Sequence, residues 1–377
     1  MTGIYKICSN CVMDSSVSDI IFDNNGVCNY CKNAQLRLEK DYSLKKKEEK
    51  IFKNLIVDLK KNSKKYKSRY DCIIGISGGI DSSYVAYLLK KNGINPLAVH
   101  FDNGWNSELA TKNIETILSK LDIKLHTEVV DWEEFKDIQL AFINSSISNL
   151  EIPTDHAILS TLLKIASKHN LPILHGGNLS TESIMPATWM HDNKDFFLIK
   201  KLCKINNIRI KTFPILSISK ILYYFIFKRI KYIGILNYIN YNKNEALKIL
   251  ENLGYRKYEQ KHFESIFTRF FQGHILPNKF KIDKRKAHLS SLIITKQITR
   301  EQSIKILSDN SIYDENQIKK DKDYFCKKFD LSINEFDQYM KKSEVSADIY
   351  SNYNKIFKKY SKEILNLKNF ITARKIY

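Results

Sequence analysis

Tyr70 to Leu89 reads YDCIIGISGGIDSSYVAYLL. Asp71 to Ile76 is a short apolar, β-branched run with polar flanks, whereas Ser82 to Lys91 spaces its apolar residues as a helix does, so the Ser-Gly-Gly between them marks a strand-to-helix turn. Such a turn is where a phosphate group is held. Gly78 and Gly79 let the backbone adopt positive φ and approach an anion with no Cβ in the way, and the following helix aims its unpaired N–H groups at the same place. Ser77, Ser82 and Ser83 add hydroxyl donors. Asp81 is a carboxylate in an anion site, which leaves it two roles: helping to hold Mg²⁺, or capping the helix.

The string SGGIDSS at the end of a buried strand resembles the signature of the PP-loop ATP pyrophosphatases. That resemblance implies ATP binding, attack of a substrate oxygen on the α-phosphorus, and release of pyrophosphate. It is not the Walker loop, because no Gly-Lys-Ser/Thr follows.

A chain of 377 residues can bury a full core and has room for two or three units. The net charge of +20 points to an anionic partner, but Lys45 to Lys50 and Lys319 to Lys328 mix lysine with acids as a solvated helix face does. The charge alone therefore gives no reason to expect nucleic acid. Met1 to Asn10 has no sustained apolar core, and no uncharged apolar run approaches the roughly 18 residues of a spanning helix. The reading is a cytoplasmic protein without a transmembrane segment. Ile215 to Ile239, rich in Ile, Tyr and Phe but broken by Lys220, Lys228, Arg229 and Lys231, reads as a helix pair packed on the catalytic domain, with a basic amphipathic segment on a membrane as the alternative.

Cys8-x-x-Cys11 and Cys28-x-x-Cys31 stand at the separation of paired zinc knuckles. Four thiolates close a tetrahedron, so the expected Zn²⁺ is structural; an iron–sulfur cluster is the competing occupant. Cys72, Cys203 and Cys326 are scattered, and Cys72 reads as a small core residue. The chain divides into a zinc-binding module (1–35), a charged helical connector (36–69), a catalytic α/β domain (70–200) and a helical C-terminal region (201–377). No Gly- or Ser-rich linker follows the module, which should dock on the catalytic domain.

From Tyr70 strands and helices alternate. Pro96 to Phe101, Lys124 to Val130 and Leu171 to His175 are the further strands, and Asp155 to His169 is a helix. The pattern predicts a parallel sheet with ligand at the carboxyl ends of its strands. His100, Asp102, Asn103 and Gly104 follow the second strand, where adenosine would lie. His175, Gly176, Gly177 and Asn178 follow the fourth, near the phosphates. Taken singly, each group could equally be an ordinary turn or helix start.

Beyond Lys200 the sheet pattern stops, and Gly254 to Ser290 crowds Lys261, His262, Glu264, Arg269, His274, Asp283, Arg285 and His288 into one block. Lys261, Glu264, Thr268 and Arg269 would share one face of a helix, while Phe263, Ile266, Phe267, Phe270 and Phe271 fill the rest. A helix apolar over most of its circumference is buried, so the charged face should line a pocket; a surface ion-pair ladder is the alternative.

YKICSNCVMD with GVCNYC, SGGIDSS, HFDNGWNSELA, KHFESIFTRF and LPNKFKIDKRKAHLS together resemble the N-acetyl sugar amidotransferase family, over most of the chain. The resemblance implies a PP-loop ATP pyrophosphatase (HUP-like) fold and the making of acetamidino sugars for bacterial surface glycans. It implies ATP and Mg²⁺ held by Ser77, Gly78, Gly79, Asp81, Ser82 and Ser83, with His100, Asp102, Asn103, Gly177 and Asn178 completing the nucleotide site. Lys261 and Arg269 are candidates to contact phosphate or a sugar carboxylate, and Glu264 or His262 to accept a proton from ammonia. Trp105, Asp283, Arg285 and His288 are candidates to contact substrate. Residue 2 is Thr and no cysteine sits in a Gly-rich nucleophile elbow, so a fused glutaminase is not expected. A separate glutaminase with a cyclase-like subunit would supply ammonia, docking at the basic surface or at Ile215 to Tyr241. The rival is a PP-loop tRNA-modifying enzyme, a thiolase or lysidine-forming synthetase. Against it, no cysteine stands at the catalytic strand ends.

Overall fold

Cys72–Gly75 (β1) carries no polar side chain, and such a strand is stable only with both faces covered. In the structure, a computed structural model describing residues 5–189, 191–258, 263–309, 313–350 and 353 (40–49 in backbone only), β1 is the middle of a five-stranded sheet. Its partners are Pro96–Asp102 (β2), Lys124–Val129 (β3), Ile173–His175 (β4) and Tyr232–Gly234 (β5), in the order β3-β2-β1-β4-β5. Every pairing is parallel; Cys72 faces Pro96, Ile73 faces Ile173, and Leu97 faces Lys124.

The fifth strand corrects the reading that the sheet stops before residue 200. Tyr232–Gly234 lies in the segment read as a helix pair, and three residues are too few to show a period of two. The strand pairs with β4 through Ile173↔Tyr232, and Gly234 is required there because a Cβ would come within 2.8 Å of the Gly177 carbonyl.

Helices cover both faces. Asn29–Lys65 (α1), Ile80–Lys91 (α2) and Glu108–Lys120 (α3) pack with Cys72 and Ile74 on one side. Ile152–His169 (α5), which follows Trp132–Ser145 (α4), packs against Ile73, Leu97 and Val99 on the other. After β4 come Leu179–Glu182 (α6), Phe196–Ile205 (α7) and Ile218–Leu222 (α8), the last continuing as a π-turn through Phe227. Lys243–Glu251 (α9), Ile266–Phe270 (α10), Leu276–Lys279 (α11), Lys284–Ile294 (α12), Arg300–Ser308 (α13), Glu315–Lys328 (α14) and Ile333–Lys341 (α15) form the C-terminal region.

The cysteine module docks on that region. Arg300 Nε donates to the Cys8 and Cys11 carbonyls at 3.2 and 3.0 Å, Val12 N–H donates to Ser290 Oγ, and Lys286 pairs with the buried Asp14 at 2.5 Å. Burial alone would raise the Asp14 carboxyl, but Lys286 and Ser16 hold it below its ordinary value. The module also reaches the 70–200 segment, where Thr188 Oγ1 donates to Asp19 at 3.2 Å, so it docks on the C-terminal helices and on that segment together. The second knuckle is also continuous with the connector, since Cys28 is the N-cap of α1 and its Sγ accepts the Cys31 N–H.

Candidate active site

The turn between β1 and α2 has the conformation the glycines predicted. Gly78 sits at φ +83°, and a Cβ there would meet the Ala110 carbonyl oxygen at 2.7 Å. Gly79 is the N-cap of α2 with no side chain to cap it, so the first N–H groups of that helix point outward. Ser82 Oγ donates to the Gly79 carbonyl and lies 3.3 Å from Ser77 Oγ, and the Gly79 N–H donates to Ser77 Oγ. Two serines thus tie the loop together from within.

This loop forms one wall of a cleft of about 560 Å³. Ser77, Gly79, Asp81 and Ser82 line it from one side, and Gly176 and Gly177 from the end of β4. Glu264, Thr268, Arg269, Arg285 and His288 face them from the C-terminal region, with Lys243, Lys257 and Lys284 adding positive charge. Glu264 Oε1 lies 3.1 Å from the point where a Gly79 Cβ would stand, so its carboxylate rests directly against the loop.

Glu264 reaches that position by a route different from the single helix face expected. Lys261 and His262 lie outside the described residues, and α10 starts only at Ile266, with Ser265 as its N-cap. Ser265 instead forms an isolated antiparallel bridge with Asn106, in the segment after β2. Ser107 N–H donates to the Glu264 carbonyl at 2.9 Å, and Ile266 N–H to the Trp105 carbonyl at 2.8 Å. Arg269 then enters the cleft wall one turn later. Its Nε and Nη2 donate to Asp321 at 2.7 and 2.6 Å, and the 2 % exposed Asp321 also accepts from Tyr313 and Gln317. Arg269 is therefore a fixed positive element of the wall, stacked over Phe263 at 5.6 Å.

Several candidates fall elsewhere. Trp105 is fully buried: its Nε1–H donates to Gln139 and its ring packs on Trp132, Phe267, Phe325 and Phe329, so it anchors the C-terminal helices rather than meeting substrate. Asn103 turns it inward, accepting the Trp105 N–H at 3.2 Å while donating to Thr154. His100 lies 2.9 Å from the Ile76 carbonyl through Nδ1 and 3.0 Å from Asn106 Nδ2 through Nε2, and Asn106 in turn donates to Asp102. This network fastens the β2 loop to the end of β1, and none of its members lines the cleft among the described residues. Ser83 is fully buried, because one residue of helix past Ser82 rotates its side chain toward the core; its hydroxyl has no partner among the described residues. Asn178 is the N-cap of α6 and donates to the Gly176 carbonyl. Asp283 caps α12 and clamps its own Arg285, which enters the cleft with His288 one turn on. Asp81 does not cap α2; it lines the cleft and accepts a hydrogen bond from Tyr241.

That tyrosine belongs to a group that pattern reading missed. Tyr255 and Tyr258 both donate to the Gly78 carbonyl, at 3.0 and 3.2 Å. Burial, followed by neighbouring negative charge, pushes Tyr241 and Tyr255 well above the ordinary phenol value, and burial does the same for Tyr258, so all three stay protonated donors. The only sequence signal is the Gly-Tyr-x-x-Tyr spacing at 254–258, which does not say what the phenols reach. His175, ahead of Gly176, stacks on Tyr232 at 4.2 Å, and burial lowers its pKa.

The four knuckle thiols meet as one group, all ligand atoms within 4.8 Å of one another. N–H groups of Asn10, Met13, Cys28 and Cys31 point at the sulfurs from 3.2 to 3.4 Å, which favours thiolates, and four buried thiolates suit a closed zinc site.

Residues 264–364 match the family described as the C-terminal domain of WbpG-like LPS biosynthesis proteins, and residues 71–161 match the queuosine biosynthesis protein QueC family. A tRNA(Ile)-lysidine synthase of Chlamydia pneumoniae is 35% identical over 77 residues, 19% of this chain and 24% of that protein. An uncharacterized protein of Methanocaldococcus jannaschii is 33% identical over 120 residues, 31% of this chain and 40% of its own length. The chain thus spans less than half of the curated relatives it matches. The NMN synthetase of Francisella tularensis superposes with a TM-score of 0.30 at 14% identity, covering 60% of this chain and 93% of that one. Residues 71–161, which hold SGGIDSS, thus resemble the QueC family, and residues 264–364 resemble the WbpG-like C-terminal domain. No helix among the described residues is long and apolar enough to cross a membrane.

Proposed function

We propose that this chain is an ATP-dependent amidotransferase that converts the N-acetyl group of a bacterial surface-glycan sugar into an acetamidino group. One observation carries the reading: the PP-loop and the charged residues of the WbpG-like domain line the same cleft. An enzyme that only bound ATP would not need Glu264, Arg269, Arg285 and His288 facing the loop.

An amide oxygen is a very poor leaving group, and ATP solves this. The N-acetyl oxygen attacks the α-phosphorus, pyrophosphate leaves, and the resulting adenylated imidate carries AMP as its leaving group. Ammonia adds to the imidate carbon, gives up a proton, and AMP departs. The outward N–H groups of the PP-loop with Ser77 and Ser82 would hold the phosphates, and Asp81 would help to place Mg²⁺, which neutralises the phosphate charge. Lys243, Lys257, Lys284, Arg285 and His288 suit an anionic substrate, either a nonulosonic acid such as a pseudaminic- or legionaminic-type sugar, or a nucleotide-linked diacetamido uronic acid. Glu264, held against Gly79, would take the proton as ammonia adds. Ammonia would come from a separate glutaminase with a cyclase-like subunit.

The test is pyrophosphate and AMP release by the purified protein with ATP, Mg²⁺ and ammonium, across a panel of N-acetylated nonulosonic and uronic sugars and, in parallel, bulk tRNA. Sugar-dependent release, with a product lighter by the difference between O and N–H, is expected. The tRNA-modifying reading is favoured by the QueC match at 71–161 and by the lysidine synthase relative. It predicts release with tRNA alone, and that result would overturn the sugar assignment.

A further inference from the structure

No aspartate or glutamate stands between Asp195 and Glu245, while lysine and arginine recur throughout that stretch. At its middle lie α8 and its π-turn, a ten-residue helix from Ile218 to Phe227 in which not one residue is fully buried. Ile221, Tyr224 and Phe225 rest against the apolar cluster under α5. Other positions are exposed and apolar: Tyr223 is 45% and Phe227 77% accessible, one turn apart, and Ile218, at the helix start, is 39% accessible. Lys220, Lys228, Arg229 and Lys231 lie within and just after this helix, all exposed, and Lys228 Nζ sits over the Tyr223 ring at 5.9 Å. Lys220 and Lys228 donate only to neutral oxygens, the Ile215 carbonyl and Asn170 Oδ1, and none of the four pairs with a carboxylate among the described residues.

We propose that this face binds the surface of an anionic lipid bilayer. Aromatic and aliphatic side chains protruding from a helix, with exposed cations beside them that no carboxylate neutralises among the described residues, match the acyl–headgroup boundary, where the rings enter the apolar layer and the cations stay with the phosphates. An acidic protein would satisfy the charge but would leave a phenylalanine exposed unless it also offered an apolar pocket. The helix is fixed to the fold at both ends: the Leu216 N–H donates to His156 before it, and the Lys231 carbonyl accepts the Ile173 N–H as β5 begins after it. Since Gly234 of β5 packs on Gly177 of the cleft, binding here would hold the catalytic cleft at a set position relative to the membrane.

The experiment is co-sedimentation of the full chain with sucrose-loaded vesicles of phosphatidylcholine, with or without phosphatidylglycerol. The wild type should bind the anionic vesicles at least about tenfold better than the neutral ones, and high salt should weaken the binding. Phe227→Asp, and separately Lys228→Glu with Lys231→Glu, should each lower binding about tenfold with thermal unfolding unchanged, since these side chains are exposed. Absence of vesicle binding would overturn the proposal, as would equal binding by wild type and folded variants. Binding to soluble polyglutamate but not to vesicles would also overturn it, assigning the face to an acidic macromolecule such as an ammonia-supplying partner.

Discussion

The PP-loop wall of the cleft comes from one run of chain, Ser77 to Ser82, whereas the facing wall gathers side chains from α9, from residues 257–273, and from α12 and α13. The first wall is backbone: a glycine at φ +83°, a bare helix start, and two serines bonding within the loop. The second is side chains held by partners far away in sequence, Arg269 by Asp321 and α12 by the cysteine module through Lys286 and Asp14. A local wall fails through conformation; a distributed wall fails through the loss of one remote contact.

The largest expected effect therefore lies in the distributed wall. Arg269→Ala leaves the buried Asp321 carboxylate without its cation and should cost about 3–5 kcal/mol of stability, read from the denaturant midpoint. A loss below about 1 kcal/mol would place this pair with ordinary surface ion pairs and dissolve the contrast.

His156 tests a second remote contact. It is fully buried, Nδ1 lies 2.8 Å from the Asn193 carbonyl, and Nε2 accepts the Leu216 N–H at 2.7 Å. Burial lowers its pKa from 6.5 to about 4, so the unfolded chain takes up the proton first as the pH falls. The stability that the neutral ring contributes is complete above pH 6.5 and is lost progressively down to about pH 4, amounting to about 3 kcal/mol. His156→Gln should be less stable at neutral pH and show a flatter acid slope in unfolding titrations; an unchanged slope would mean other groups dominate.

Gly78→Ala probes the local wall. Positive φ and the 2.7 Å approach to the Ala110 carbonyl should displace the loop and cut pyrophosphate release about 100-fold, with a stability loss of only about 1–3 kcal/mol. If stability fell by more than Arg269→Ala costs, the loop would be a folding element first and a binding element second.

The smallest effect sharpens the join between the walls. Tyr255→Phe and Tyr258→Phe each remove one hydrogen bond to the Gly78 carbonyl and should cost about 1 kcal/mol. The double variant should cost more than the sum if the two phenols substitute for each other, which a double-mutant cycle on unfolding free energy would reveal.

The reach of sequence reading follows the same division. Strands β1 to β4, the phosphate turn and the thiol tetrad were legible because each is written within a short window: apolar runs, two adjacent glycines, paired C-x-x-C spacings. Grouping Glu264, Thr268 and Arg269 in one pocket agreed with the structure, though the single helix face assumed for them did not. Trp105 differs from the expected substrate contact because a residue past a strand end can turn inward as easily as outward, and Asn103 decides which. Ser83 failed for a simpler reason, the 100° rotation per helical residue that sends it to the core.

By itself the sequence determined what backbone conformation and ligand type require: a loop only glycine can form, four thiols at knuckle spacing, a parallel sheet of buried strands. The tertiary structure alone decided that Tyr232–Gly234 completes the sheet, that Tyr241, Tyr255 and Tyr258 grip the phosphate loop, and that the cysteine module braces the helix carrying Arg285 and His288. The physical reason is range. Turn geometry and metal-ligand spacing are fixed by neighbouring residues, whereas a three-residue strand or a phenol's partner depends on surfaces that meet only when the chain has folded.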